Sequence, residues 1–213
     1  MKRIITLVAL IVGLSTFGAV QTQDAKALNP EQTSVSNVVN SVYYDLVRFW
    51  GPRTKPSINY YHAGGADWST PCGWTGNSWG TQGFYCSPNS SIYLDFYQQA
   101  GNINSYRDGA VAFWLAHEFG HHIEMLLGIN WTGYQPYHEL LADCFAGMYF
   151  RYGVNSSRLL NYNDYAIDAR NQIWALTYPD PAHGTREQRL RAFDFGYSQT
   201  TYNGCIRGAG PSY

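Results

Sequence analysis

Apolar residues recur three and four apart at Val35, Val38, Val39, Val42, Leu46 and Val47. That spacing marks one face of a helix, so residues 35–50 are predicted to be amphipathic and helical, closed at Gly51-Pro52. Residues 51–90 lose the periodicity and gain Gly, Pro, Ser and Asn, which reads as loops with short strands. "SIYLDFY", residues 91–97, alternates and is predicted to be a strand, one that could offer an edge to an extended peptide. A helix is then predicted from Asp108, as its N-cap, to about Leu127, with Gly128 just past its end. It is apolar nearly all round (Val111, Phe113, Trp114, Leu115, Phe119, Ile123, Leu126), so it should be buried. Its polar exceptions are His117, Glu118, His121, His122 and Glu124. Pro136 and Gly153 bracket a further helix over about 136–152, and residues 163–176 read as another, with Asn163 as cap. A last helix begins at Thr185, where Thr185 and Gln188 have the form of a capping box. The predicted class is α+β, mainly helical, in one domain, and no internal repeat interrupts it.

Composition narrows the function. Hydrophobic residues make up 45% of the 213-residue chain and charged residues 14%, which supports a packed core. The formal net charge of −1 lacks the basic excess of a nucleic-acid binder. The first residues look like an export signal. Lys2 and Arg3 precede an uncharged apolar run, Ile4 to Val20, and Ala25-Lys26-Ala27 offers small residues where a signal peptidase reads. Residues 1–27 are therefore expected to be a signal peptide and residues 28–213 the mature domain, secreted or extracytoplasmic and off the membrane once cleaved. An uncleaved N-terminal membrane anchor is the alternative. The mature chain would carry 11 basic and 14 acidic residues, net −3.

Four cysteines, Cys72, Cys86, Cys144 and Cys205, all fall in the mature part. An even number in an exported chain favours two disulfides, and no pair has the short spacing of a cysteine zinc site. Three connectivities are possible. Cys72 with Cys86, closing a Gly- and Trp-rich loop, and Cys144 with Cys205 rank first.

"HEFGHH", residues 117–122, carries the candidate chemistry. Residues four apart on a helix share a face, so His117 and His121 can point two imidazoles at one metal ion. Glu118 stands beside them, placed to act as a base on a water there. A catalytic zinc needs a third protein ligand and an open position. "HELLADCFAG", residues 138–147, offers Glu139 as that ligand and Asp143, four residues on, to orient a ligand histidine through its other ring nitrogen. His138 would point about 100° away from Glu139 and ranks below it. His122 reads as structural, and His62 is uncommitted.

"HEFGHHIE" followed by "ELLADCFAG" resembles the bacterial putative neutral zinc metallopeptidase family, which pairs HExGHH with ELxADCxAG. The upstream "CGWTGNSWGTQGFYCSPNSSIYLDF" and the downstream "HGTREQR" resemble two further segments of that family, in order, across about residues 70–205. The resemblance implies a zincin-like, gluzincin-like domain with one Zn2+ per chain. It implies His117, His121 and Glu139 as ligands and Glu118 as general base, acting on a peptide or protein substrate. Two departures stand out: Ser87-Pro88-Asn89 interrupts the usual Cys-Pro-x-Asp pattern, and Glu124 stands where a Gln is more usual. A His…Arg spacing like that of His183 and Arg189 occurs in more distant membrane zinc proteases. It suggests that His183 hydrogen-bonds the tetrahedral oxyanion with Arg189 in support. A non-catalytic zinc-binding protein of the same fold is one alternative. A cell-wall peptide amide hydrolase is another, with Trp68, Trp74, Trp79, Phe84 and Tyr85 available for glycan stacking.

Overall fold

The valine stripe is buried as its spacing predicts: Val35, Val39, Val42 and Leu46 are essentially inaccessible on α1, Pro30–Trp50, which packs against α3, Asp108–Leu126. The computed structural model describes residues 30–61, 68–75, 82–129, 135–156, 162–176 and 182–208. The expected signal peptide, His62 and Trp79 lie outside the described residues. A three-stranded sheet joins β1 (Ser57–Tyr61), β4 (Gly83–Cys86) and β5 (Ser91–Asp95). A separate hairpin pairs β2, Trp68–Thr70, with β3, Gly73–Thr75.

The strand at 91 is shorter and more central than its alternation suggests. β5 lies between β1, to which it is parallel, and β4, to which it is antiparallel, so it is no edge. All five of its residues are buried. It stops at Asp95 because that carboxylate caps a helix, accepting from the backbone N–H groups of Tyr97 and Gln98 at 2.8 and 3.0 Å. The helix it starts, α2 (Phe96–Tyr106), runs on through "FY", which alternation assigns to the strand. Asp108 is the first residue of α3, whose N-cap is Arg107 at a positive φ of 65° with ψ −171°.

The remaining helices are α4 (Gln135–Ser156), α5 (Tyr162–Ala175), α6 (Arg186–Ser198) and α7 (Tyr202–Gly208). Thr185 caps α6 with the full reciprocal capping box to Gln188. Two glycines set the α4–α6 crossing. A Cβ on Gly147 would stand 2.0 Å from the Phe193 carbonyl oxygen, and one on Gly196 would stand 1.9 Å from that of Cys144. Backbone therefore meets backbone there, and the side chains one turn before the crossing are pressed together. The disulfides join Cys72 to Cys86, anchoring the hairpin to the end of β4, and Cys144 to Cys205, anchoring α7 to α4. These are the favoured pairings of the three possible. Among the described residues no helix is long and apolar enough to cross a membrane.

Candidate metal centre

α3 is buried from Gly109 to Glu124, and its His117, His121 and Glu124 face α4. Gly120 permits the approach, since a Cβ there would meet Ala142 of α4 at 3.0 Å. One turn apart on α3, the rings of His117 and His121 stand 4.8 Å apart at 84°. Glu139 of α4 reaches both: Oε2 is 3.1 Å from His117 Nε2, and Oε1 is 3.6 Å from His121 Nε2. One ligand atom from each of the three residues lies within 4.8 Å of the others, so the group could hold a metal ion.

The donor set fits zinc. Two ligand atoms each about 2.0–2.1 Å from a tetrahedral zinc stand about 3.3 Å apart, close to both observed separations. The ring orientation fits as well. His117 Nδ1 lies 2.8 Å from Asp143 Oδ1, which holds that nitrogen protonated and leaves the Nε2 lone pair available to a metal on the Glu139 side. Glu139 retains some exposure, so one side of the cluster opens to solvent.

Electrostatics follow from burial against nearby charge. Burial alone would raise the Glu139 carboxyl, yet the His121 and His117 imidazoles hold it well below the usual carboxylate value. Burial likewise disfavours the Asp143 carboxylate, but the Arg189 guanidinium and the His117 imidazole together outweigh it and hold it below its ordinary value. Glu118 goes the other way: burial raises it, and His117 and His121 only partly offset the rise. His122, lowered by burial, lies 2.9 Å from the Tyr85 hydroxyl through its Nδ1, which ties α3 to β4.

His183, in the turn before α6, stands at the rim with half its side chain exposed and Nε2 3.8 Å from Glu139 Oε1. Arg189 does not stand at that rim. It is buried in the α4–α6 interface and donates to both Asp143 oxygens, from Nε at 2.7 Å and Nη2 at 2.9 Å. The reason is geometric: from Thr185 the capped helix runs inward, so Arg189, one turn in, points at α4.

Two residues near the centre have no role in the sequence reading. Glu124 is fully buried, and its Oε2 lies 2.7 Å from His138 Nδ1. His138 does point away from Glu139, but into this second buried pair. The signal available in the sequence is the position of Glu124, three residues after His121.

The sequence model of the family described as "Putative neutral zinc metallopeptidase" matches residues 4–207. The chain is similar to a protein of Escherichia coli strain K12 named "Uncharacterized protein YpfJ", at 25% identity over 237 residues, covering 91% of this chain and 80% of that protein. A protein of the same name from Escherichia coli O6:H1 matches to the same extent. No solved structure matches.

Proposed function

We propose, from the premise that this chain belongs to the putative neutral zinc metallopeptidase family, that it is an exported zinc peptidase. His117, His121 and Glu139 hold one zinc ion, and Glu118 is the general base. The observation that carries this reading is the convergence of two imidazoles and a carboxylate within 4.8 Å, next to a buried glutamate on the same helix.

When bound, zinc supplies a Lewis acid and lowers the pKa of a water in its open position to about 7. Glu118 takes the proton from the attacking water and passes it to the leaving amine. Burial raises the Glu118 carboxyl above its ordinary value, which makes it a stronger base than an exposed carboxylate. His183, at the exposed rim, donates a hydrogen bond to the developing oxyanion. Arg189 acts through Asp143, which fixes the ring of His117.

The substrate strand is assigned to β4 in place of β5. Among the described residues β4 pairs on one side only, with β5. A Cβ on Gly83, at its start, would lie 3.8 Å from Glu118 Cγ. An extended peptide running alongside β4 would pass the base. Export is supported by two disulfides and by the charged-then-apolar start of residues 1–27.

Metal analysis of the purified protein and a broad peptide-library digest test the reading together. About one zinc per chain and cleavage of extended peptides are expected. Full zinc occupancy in a His117→Ala, His121→Ala double variant overturns the ligand set. A zinc-loaded parent that cleaves nothing makes a non-catalytic zinc-binding protein the better reading.

A further inference from the structure

We propose that Glu124 is the positioning residue for His121, held in place by His138, so that each ligand histidine has its own buried carboxylate. The proposal rests on the zinc reading above. Glu124 sits in the last turn of α3, where Leu126 and Leu127 are already exposed, yet it is itself wholly buried. A buried carboxylate is costly unless partners compensate it. One oxygen is compensated by His138 Nδ1 at 2.7 Å. The other, Oε1, is buried, accepts no hydrogen bond among the described residues, and faces His121 Nδ1 at 3.6 Å.

The two ring nitrogens of His121 thus meet different groups. Nε2 faces Glu139, and Nδ1 faces Glu124. Glu124 therefore stands behind the ring, opposite the metal side, and is no fourth ligand. Donation from Nδ1–H to Oε1 needs a closure of less than an ångström to reach the usual ~2.7–3.2 Å. It would fix the tautomer that leaves the Nε2 lone pair toward Glu139. The arrangement repeats the one at His117, where Asp143 stands behind the ring and Arg189 stands behind Asp143. In each case the carboxylate is clamped by a basic side chain from another position: α6 for Asp143, and the start of α4 for Glu124.

Two measurements on the full protein test this. The first is zinc affinity, by competition with a chelator, for the parent, Glu124→Gln and Glu124→Met. The amide oxygen of Gln still accepts from Nδ1–H, so binding should stay within a few-fold of the parent. Met fills the space without an acceptor, and affinity should fall about 10–100-fold. The second is the ring-nitrogen NMR of His121 in the zinc-loaded parent, which needs no folded variant. Metal at Nε2 with a proton retained on Nδ1 is expected. Met binding as tightly as the parent, or metal at Nδ1, overturns the proposal alone. A parent that binds no zinc overturns the functional reading and this one with it.

Discussion

Arg189 holds both carboxylate oxygens of Asp143, with Nε 2.7 Å from one and Nη2 2.9 Å from the other, and all of these atoms are buried. The pair joins α6 to the residue that orients His117. Replacing Arg189 with Met would strand a buried carboxylate, which typically costs ~3–5 kcal/mol. Denaturant unfolding should show that loss, and zinc affinity should fall with it. If instead Arg189 faced the substrate, Arg189→Met would keep its stability and its zinc and lose only turnover.

Glu118→Gln separates chemistry from metal binding. The amide keeps the shape and is cheaper to bury than a carboxylate, so zinc content and melting temperature should match or exceed those of the parent. Hydrolysis should fall by ~10²–10⁴, the usual share of general acid–base catalysis. Loss of zinc in this variant would make Glu118 a ligand, and unchanged hydrolysis would put the base elsewhere.

Gly196→Ala should be far more damaging than its one added methyl suggests. Its Cβ would stand 1.9 Å from the Cys144 carbonyl oxygen, a backbone atom that cannot rotate aside. Overpacking of this kind typically costs ~1–3 kcal/mol or more. Because α4 would be displaced from α6, zinc affinity should drop along with thermal stability. A variant with parental melting temperature would show that the two helices have room to part.

The disulfides predict no free thiol in the native protein, which thiol titration checks directly. Cys144 and Cys205 are 61 residues apart in sequence and Cys72 and Cys86 are 14 apart. Loop-closure entropy therefore assigns roughly 4 kcal/mol to the first and about 3 to the second. Replacing Cys144 and Cys205 with Ala should lower the unfolding midpoint more than replacing Cys72 and Cys86. The reverse order would place the constraint on the hairpin.

Tyr165 sets an alkaline limit. Burial first, then the Asp108 and Asp168 carboxylates, push its phenol up to about 12 from an ordinary 10.0. A raised folded-state value means stability that is complete below pH 10 and is lost as pH rises toward 12. Urea unfolding between pH 8 and 11.5 should therefore show a steeper decline for the parent than for Tyr165→Phe. Parallel declines would remove Tyr165 from the account.

Much of this was legible because it is local. The valine stripe of α1, the Thr185–Gln188 capping box and the i, i+4 pair His117 and His121 each depend on residues within one helical turn, and periodicity reports them directly. Glu139 and Asp143 share a stripe of α4 for the same reason. The start of α2 was locally encoded as well, in Asp95. The alternation of "SIYLDFY" concealed it, since a strand and a capped helix can share the same apolar residues.

What the sequence by itself determined is which side chains one helix carries together: two imidazoles and a glutamate on one helix, two carboxylates on another, and an arginine one turn inside a capped third. Only the tertiary structure decided which faces meet. Gly147 and Gly196 let α4 and α6 touch backbone to backbone, and that contact gives Arg189 to Asp143 rather than to His183 and the rim. Gly120 brings α3 onto α4, and there Glu124 finds His138. The order β1-β5-β4 buries the strand that looked like an edge and puts β4 at the end of the described sheet, beside Glu118. Such pairings join residues tens of positions apart. They are fixed by close packing across elements, to which a one-dimensional period is blind.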